Sequence, residues 1–233
     1  MMNEFIFNGQ RSSSYGIYIS GNGTYNFPER DVEKITVQGK NGDLIIDNGR
    51  FKNTTLTYLA FIRRNFKENV DAARMWLLAD SAYHKLEDTY HPEIFRMARF
   101  ASPTNFTMRF LNLSGECELV FDCKPQRFLK SGTVPVESTG AITLMNPTVH
   151  EALPIIRVYG SSGTLIVGNN VVQLLNIDEY VDIDSEIQNT YKGINNCNSN
   201  MIGDFPTLQA GETGIRFEGN ITKIQITPRW WFA

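Results

Sequence analysis

The sequence predicts a mainly β protein in two parts: a β-rich N-terminal domain carrying one α-helix, followed by a C-terminal β-sandwich. Three observations predict it. Short runs of alternating apolar and polar residues, separated by turn signals, fill most of the 233 residues. One stretch alone departs from that period and repeats at helical spacing. A seam rich in glycine and proline, "KSGTVPVESTGAITLMNPTVHE" over residues 130–148 and just beyond, separates a mixed half from a purely β half. The expected division is 1–135 and 136–233.

In the first half, "KITVQGKNGDLIIDNGRF" places Asn41-Gly42 and Asn48-Gly49 on either side of an apolar run, and such pairs favour positive φ and tight turns. A strand, a turn and a second strand are expected over 34–47. "TTLTYLAFI" continues with β-branched and aromatic residues. In "NVDAARMWLLAD", Val70, Ala73, Trp76 and Leu77 share a helical face. The spacing predicts a helix near 70–79, with Asn69 capping its start, Asp71 at the positive end of the dipole and Trp76 anchored in the core. In "CELVFDC", Cys117, Leu119, Phe121 and Cys123 alternate with Glu118, Val120 and Asp122, so both thiols fall on the buried face of one strand. Six residues of strand span about 20 Å, too far for a disulfide between them. With Cys197 the cysteines number three, and free thiols are expected.

In the second half, "PIIRVYGSSGTLIVGNNVVQLL", "EYVDIDSE" and "TGIRFEGNITKIQITPRWWFA" read as strands with turns about every ten residues, the spacing of a sandwich. Gly160-Ser-Ser-Gly163 is read as a hairpin turn between Tyr159 and Thr164. In the acidic run, Asp178, Tyr180, Asp182, Asp184 and Glu186 share one strand face, opposite Ile177, Val181 and Ile183. A solvated face is expected, with a calcium site at Asp182, Asp184 and Glu186 as the alternative; strand neighbours about 7 Å apart need help from other segments to converge on one ion. At the end, Thr222, Ile224 and Ile226 line one side of a last strand that Pro228 terminates. In an extended backbone Trp230 and Trp231 point to opposite faces, which argues against a flat two-ring sugar platform. One indole is expected in the core and the other packed against a neighbouring domain or subunit.

Composition excludes several functions. A net charge of -3 and a pI near 5.7 suit neither a phosphate backbone nor an anionic membrane. The compact basic cluster of Arg63, Arg64 and Lys67 reads as solvated surface. No run approaches the ~18 apolar residues of a membrane helix, and "MMNEFIFNGQ" does not read as a secretory signal, so synthesis and folding in the cytosol are expected. His84, His91 and His150 lack metal-ligand spacing, "GSSG" is not a nucleophile elbow, and the "GNG" at 21–23 lacks the rest of a dinucleotide fingerprint. No catalytic set, cofactor site or metal site is read from the residues.

Taken together, the segments resemble the distal tail proteins of long-tailed, non-contractile (siphovirus-type) bacteriophages. The motifs that carry the resemblance follow one another through most of the chain: "FIFNGQRSSSYGIYI", "FPERDVEKITVQGKNGDLIIDNGRF" with its Gly39-x-Asn41-Gly42 turn, "RMWLLAD" then "KLED", "NPTVHEALPIIRVYGSSGTLIVGN", "IDSE", "FPTLQAGETGIRF" and "PRWW". The resemblance implies a non-enzymatic virion structural protein at the distal end of the tail, in the tail tip or baseplate. It implies a homo-hexameric ring built by the N-terminal domains, a C-terminal domain with a galectin-like sandwich outside it, and a lumen through which DNA passes. The implied partners are the tail tube protein, the tail-tip or tail-associated lysin protein and a receptor-binding protein, with no sequence-specific nucleic-acid binding and no membrane insertion. The polar set with which galectins hold sugar is not matched here, and "galectin-like" describes shape alone. Lys40, Asn41 and Asp43, in the turn of the first hairpin, are the expected ring contact; Trp230 and Trp231 are the expected domain or subunit packing residues. The alternative function is a carbohydrate-binding module used in host adsorption, and a third reading is a cell-wall hydrolase, for which no residue set speaks.

Overall fold

The structure is a computed structural model that describes residues 2–21, 26–101, 106–109 and 112–233. The chain divides into two compact units, Met1–Arg127 with Ala233, and Phe128–Phe232.

The first unit contains β1 (Phe5–Phe7), β2 (Gln10–Arg11), β3 (Ile17–Ser20), β4 (Arg30–Thr36), β5 (Asp43–Phe51), β6 (Thr54–Arg63), α1 (Phe66–Leu77), β7 (His84–Asp88), β8 (Ile94–Phe100), β9 (Thr107–Arg109) and most of β10 (Ser114–Leu129). Its main sheet has the order β2-β1-β7-β8-β10-β6-β3, with β9 also on β10. β3, at one end of that order, meets the residues just before β1: the Ile19 amide donates to the Asn3 carbonyl (2.9 Å) in an isolated antiparallel bridge, so the sheet closes there and leaves β2 outside the closure. The alternation read in "CELVFDC" is present in β10. Cys117, Leu119, Phe121 and Cys123 are buried and pair in register with Ala60, Tyr58, Leu56 and Thr54 of β6. Phe5, Tyr58 and Trp76 stack within this core, and Phe121 meets Phe5 edge-on.

Helix α1 packs Phe66, Val70, Ala73, Trp76 and Leu77 into the same core. It starts earlier than its local signals suggest. Asn69 is not the cap; it lies inside the helix and its side-chain amide donates to the Arg64 carbonyl (2.9 Å). The first turn is satisfied from a distant segment instead: Asn112 accepts the Phe66 amide on its carbonyl (3.1 Å) and the Lys67 amide on Oδ1 (2.7 Å). These are two of the helix donors that lack an intrahelical partner.

The second unit contains the end of β10, then β11 (Val136–Ser138), β12 (Ile142–Asn146), β13 (Ile155–Val167), β14 (Asn170–Leu174), β15 (Tyr180–Asp184), β16 (Asn189–Lys192), β17 (Asn195–Asn196), β18 (Met201–Ile202), β19 (Gly211–Thr227) and β20 (Trp231–Phe232). Two long strands, β13 and β19, pair from Ile155 opposite Thr227 to Val167 opposite Ile215 and serve two layers. The first half of β13 pairs β15, which continues to β16 and β17, while β11 lies on the second half of β19. The second half of β13 pairs β14, followed by β18, while β12 lies on the first half of β19. Ile156, Val158, Ile183 and Ile224 from one layer and Leu165, Val167, Val172 and Ile215 from the other form a single core, as a sandwich requires. Each such fully buried side chain contributes roughly 1.5–3 kcal/mol relative to exposure.

The Gly160–Gly163 segment is not a hairpin turn. It lies inside β13, where the register against β19 shifts twice. A Cβ on Gly160 would collide with the Asn220 carbonyl oxygen, and one on Gly163 with the Glu218 carbonyl oxygen. The glycines let two backbones touch at the point where both strands bend from one layer to the other. The same irregularity changes the inward set of β19: Ile221 is buried and Thr222 is exposed, although Thr222 shares the parity of Ile224 and Ile226.

Candidate assembly surface

The hairpin of β4 and β5 stands apart from the closed sheet. It is a two-stranded sheet of its own, paired from Arg30 opposite Phe51 to Thr36 opposite Asp43. Pairing at Lys34–Ile45, Glu33–Ile46 and Ile35–Leu44 puts Ile35, Leu44 and Ile46 on one face with Glu33. Lys34, Thr36, Asp43, Ile45 and Asp47 occupy the other face. None of these apolar side chains enters a core; Ile45 is 61% exposed and Leu44 52%. Polar pairs across the strands hold the register: Arg50 Nε to Asp31 Oδ2 (2.7 Å), Arg30 to Asp47 (3.3 Å), Lys52 to Glu29 (3.7 Å) and Thr36 Oγ1 to Asp43 Oδ1 (3.0 Å). The hydrogen bond from Arg50, with its charge, holds the Asp31 carboxyl below its usual range.

Only one of the two Asn-Gly pairs in this region makes a chain reversal. Asn41-Gly42 lies in the exposed connection between the strands, with Lys40, Asn41 and Asp43 all open to solvent. Asn48-Gly49 lies within β5, where the register slips between Arg30 and Val32 and Gly49 takes a φ of +73°. Positive φ is common to a tight turn and a bulge, so this dipeptide does not distinguish them.

At the other end of the chain, Trp230 is 6% exposed and belongs to the C-terminal core. Trp231 stacks flat on His150, with ring centroids 4.3 Å apart and 9° between planes, and its Nε1 donates to the Glu151 carbonyl (2.9 Å). Arg229, between Pro228 and these rings, adopts a left-handed φ of +60° and its amide donates to the Gly132 carbonyl (2.8 Å).

The acidic strand face is solvated only at its ends, Asp178 and Glu186, and not at its centre. Asp182 and Asp184 on β15 are 5% and 4% exposed. Arg157 forks onto Asp182 (2.7 and 2.8 Å) and Arg229 onto Asp184 (2.7 and 2.9 Å), with Glu186 3.3 Å from Arg229. Guanidinium and carboxylate match as planar forks, the strongest geometry for such pairs. No group of three or more His, Cys, Asp or Glu suited to a metal ion occurs among the described residues. The aromatic rings beside this face are capped by cations: the Arg157 guanidinium is 4.3 Å from the Tyr180 ring centroid, and Lys223 Nζ is 4.4 Å from that of Tyr159.

Burial pushes the Cys117 and Cys123 thiols up to about 12, which leaves both protonated at neutral pH. Arg63, Arg64 and Lys67 are exposed around the start of α1. No helix among the described residues is long and apolar enough to cross a membrane. The residues that sequence reasoning missed are Arg157 and Arg229, the partners of the acidic strand. Their distance along the chain hides them, and the one available signal was that Arg157 stands alone among apolar neighbours in "PIIRVYG".

No protein-family model and no curated protein matches the chain. Solved structures do. The SPP1 Dit (gp 19.1) protein, a paradigm of hub adsorption apparatus in Gram-positive infecting phages, matches over 100% of both chains with a TM-score of 0.76 and 12% identity. The phage P2 baseplate in its activated conformation matches over 97% of both chains at 8% identity, with TM-scores of 0.55 in the calcium form and 0.53 in the strontium form. From its first strand to its last, this chain has the fold of the SPP1 Dit protein.

Proposed function

We propose that this protein is a structural hub of a bacteriophage tail tip: a homo-hexameric ring that joins the tail tube to the tail-tip protein and the receptor-binding apparatus and lets DNA pass during ejection. The observation that carries the reading is the end-to-end likeness to the SPP1 hub protein, which spans both domains and leaves no part of either chain over. In this reading residues 1–135 build the ring, residues 136–233 form the galectin-like domain outside it, and the protein resides at the distal end of the virion tail after assembly in the host cytoplasm.

The hairpin supplies a physical reason for assembly. A two-stranded sheet is marginal alone in water, yet this one presents Ile35, Leu44, Ile45 and Ile46 to solvent together with the free edges of both strands. A neighbouring copy that covers it would bury that surface, with Lys40, Asn41 and Asp43 at the contact. Closed symmetry then requires each subunit to offer two different, complementary patches. Trp231 is assigned to packing at the foot of the C-terminal domain, since its ring is already stacked and hydrogen-bonded. The hub performs no turnover.

Electron microscopy of the purified protein at high concentration tests the proposal. Annular particles with six-fold symmetry are expected, and labelling of intact virions should mark the end of the tail. Absence of the chain from intact particles, or conversion of a substrate by the purified protein, would overturn it.

A further inference from the structure

Asn-Gly is a dipeptide with chemistry of its own. The glycine nitrogen attacks the asparagine side-chain carbonyl carbon and forms a new C–N bond. The bond from that carbon to Nδ2 breaks, and ammonia leaves with the proton from the glycine amide. One water then opens the succinimide at either carbonyl. The product is aspartate, or isoaspartate with the backbone rerouted through the side chain. Glycine is the favoured second residue because no Cβ obstructs the nitrogen.

Three such pairs lie among the described residues, and their backbones differ. Asn8 and Gly9 form a two-residue turn with φ of +49° and +74°, locked by the flanking Phe7–Gln10 pair and by the Asn8 amide donating to Lys85 (3.0 Å). In Asn48-Gly49 the nitrogen that must attack is engaged, because the Gly49 amide donates to Asp47 Oδ1 (2.8 Å). Asn41-Gly42 has none of these restraints. It lies in a connection outside both strands, whose internal backbone bond runs from the Lys40 amide to the Val37 carbonyl (3.2 Å). A Cβ on Gly42 would meet nothing within 4 Å, so the ring can close and open there without a clash.

We infer that Asn41 is a self-modification site: in the free chain it converts to aspartate and isoaspartate ahead of Asn8 and Asn48, and places a new negative charge between Lys40 and Asp43 at the tip of the hairpin. The inference does not depend on the hub reading, because it concerns the unassembled chain.

The test is peptide mapping of the full-length protein after incubation in mildly alkaline buffer. Monomeric and assembled fractions are separated first by size exclusion, and isoaspartyl peptides and the mass gain of one dalton are quantified. In the monomer, Asn41 should convert about ten-fold faster than Asn48, the factor that corresponds to 1.36 kcal/mol of barrier. Asp47→Ala frees the Gly49 amide and should accelerate Asn48 while leaving Asn41 unchanged; Asn41→Gln supplies the blank. Slowing at Asn41 confined to the assembled fraction also supports the site, since a second copy then covers the turn. Conversion at Asn41 in the monomer no faster than at Asn8 or Asn48 would overturn it.

Discussion

The hairpin of β4 and β5 and the strand pair β13–β19 are built by the same rules and end in opposite environments. Both are antiparallel pairs with a glycine irregularity, at the middle of β13–β19 and at the open end of the hairpin. In β13–β19 every second side chain enters one core, and glycines are compelled by backbone contact. In the hairpin no side chain enters a core, and a Cβ on Gly39, Gly42 or Gly49 would meet nothing. Alternation in a sequence therefore sets which residues share a face; whether that face is buried depends on what else arrives there. In the sandwich the second layer arrives from within the chain. For the hairpin no core of the described residues supplies one.

Substitutions can break this comparison, and the largest effect is expected where backbones touch. Gly163→Val should cost more than about 4 kcal/mol and unfold the C-terminal unit, because the new Cβ would collide with the Glu218 carbonyl oxygen, a backbone atom that cannot yield. Far-ultraviolet circular dichroism during thermal unfolding measures it. Gly42→Val in the hairpin connection should leave the fold intact. Next comes Ile183→Ala, expected to lose about 3–4 kcal/mol in urea titration, against less than about 0.5 kcal/mol for Ile45→Ala in the monomer. If Ile45→Ala instead weakens assembly while sparing monomer stability, its surface is used between copies.

The ion pairs sharpen the contrast further. Arg229→Ala leaves the Asp184 carboxylate buried without its guanidinium and should cost about 3 kcal/mol. Arg50→Ala removes a solvent-screened pair in the hairpin and should not move the unfolding midpoint. The last effect is absent at neutral pH and belongs to the buried thiols. Their folded pKa lies above the unfolded value, so folding retains protons that the unfolded chain releases. The stability they confer is complete below pH 9.0 and declines toward about 12, by about 1.4 kcal/mol per pH unit for each thiol. Below pH 9.0 both should resist alkylation in the folded protein.

What the sequence revealed follows the range of each interaction. The strand of Cys117 to Cys123 and the buried face of α1 were legible because period and composition are local properties. The cap of α1 was not, because Asn112 lies 45 residues from the amide it accepts. The acidic strand misled for the same reason: its partners stand 25 and 45 residues away, and a run of carboxylates looks alike whether it faces water or guanidinium. The glycines at 160 and 163 carried a correct signal of backbone irregularity, but turns and bulges draw on the same residues.

The bridge between Asn3 and Ile19 has a consequence for how this protein goes wrong. A strand with an open flank recruits strands from strangers without limit of number. By bridging β3 to the residues before β1, the main sheet of the N-terminal domain removes that invitation at β3. A lesion that frees the opening residues would expose the flank of β3 and turn a folded domain into the seed of an amorphous deposit.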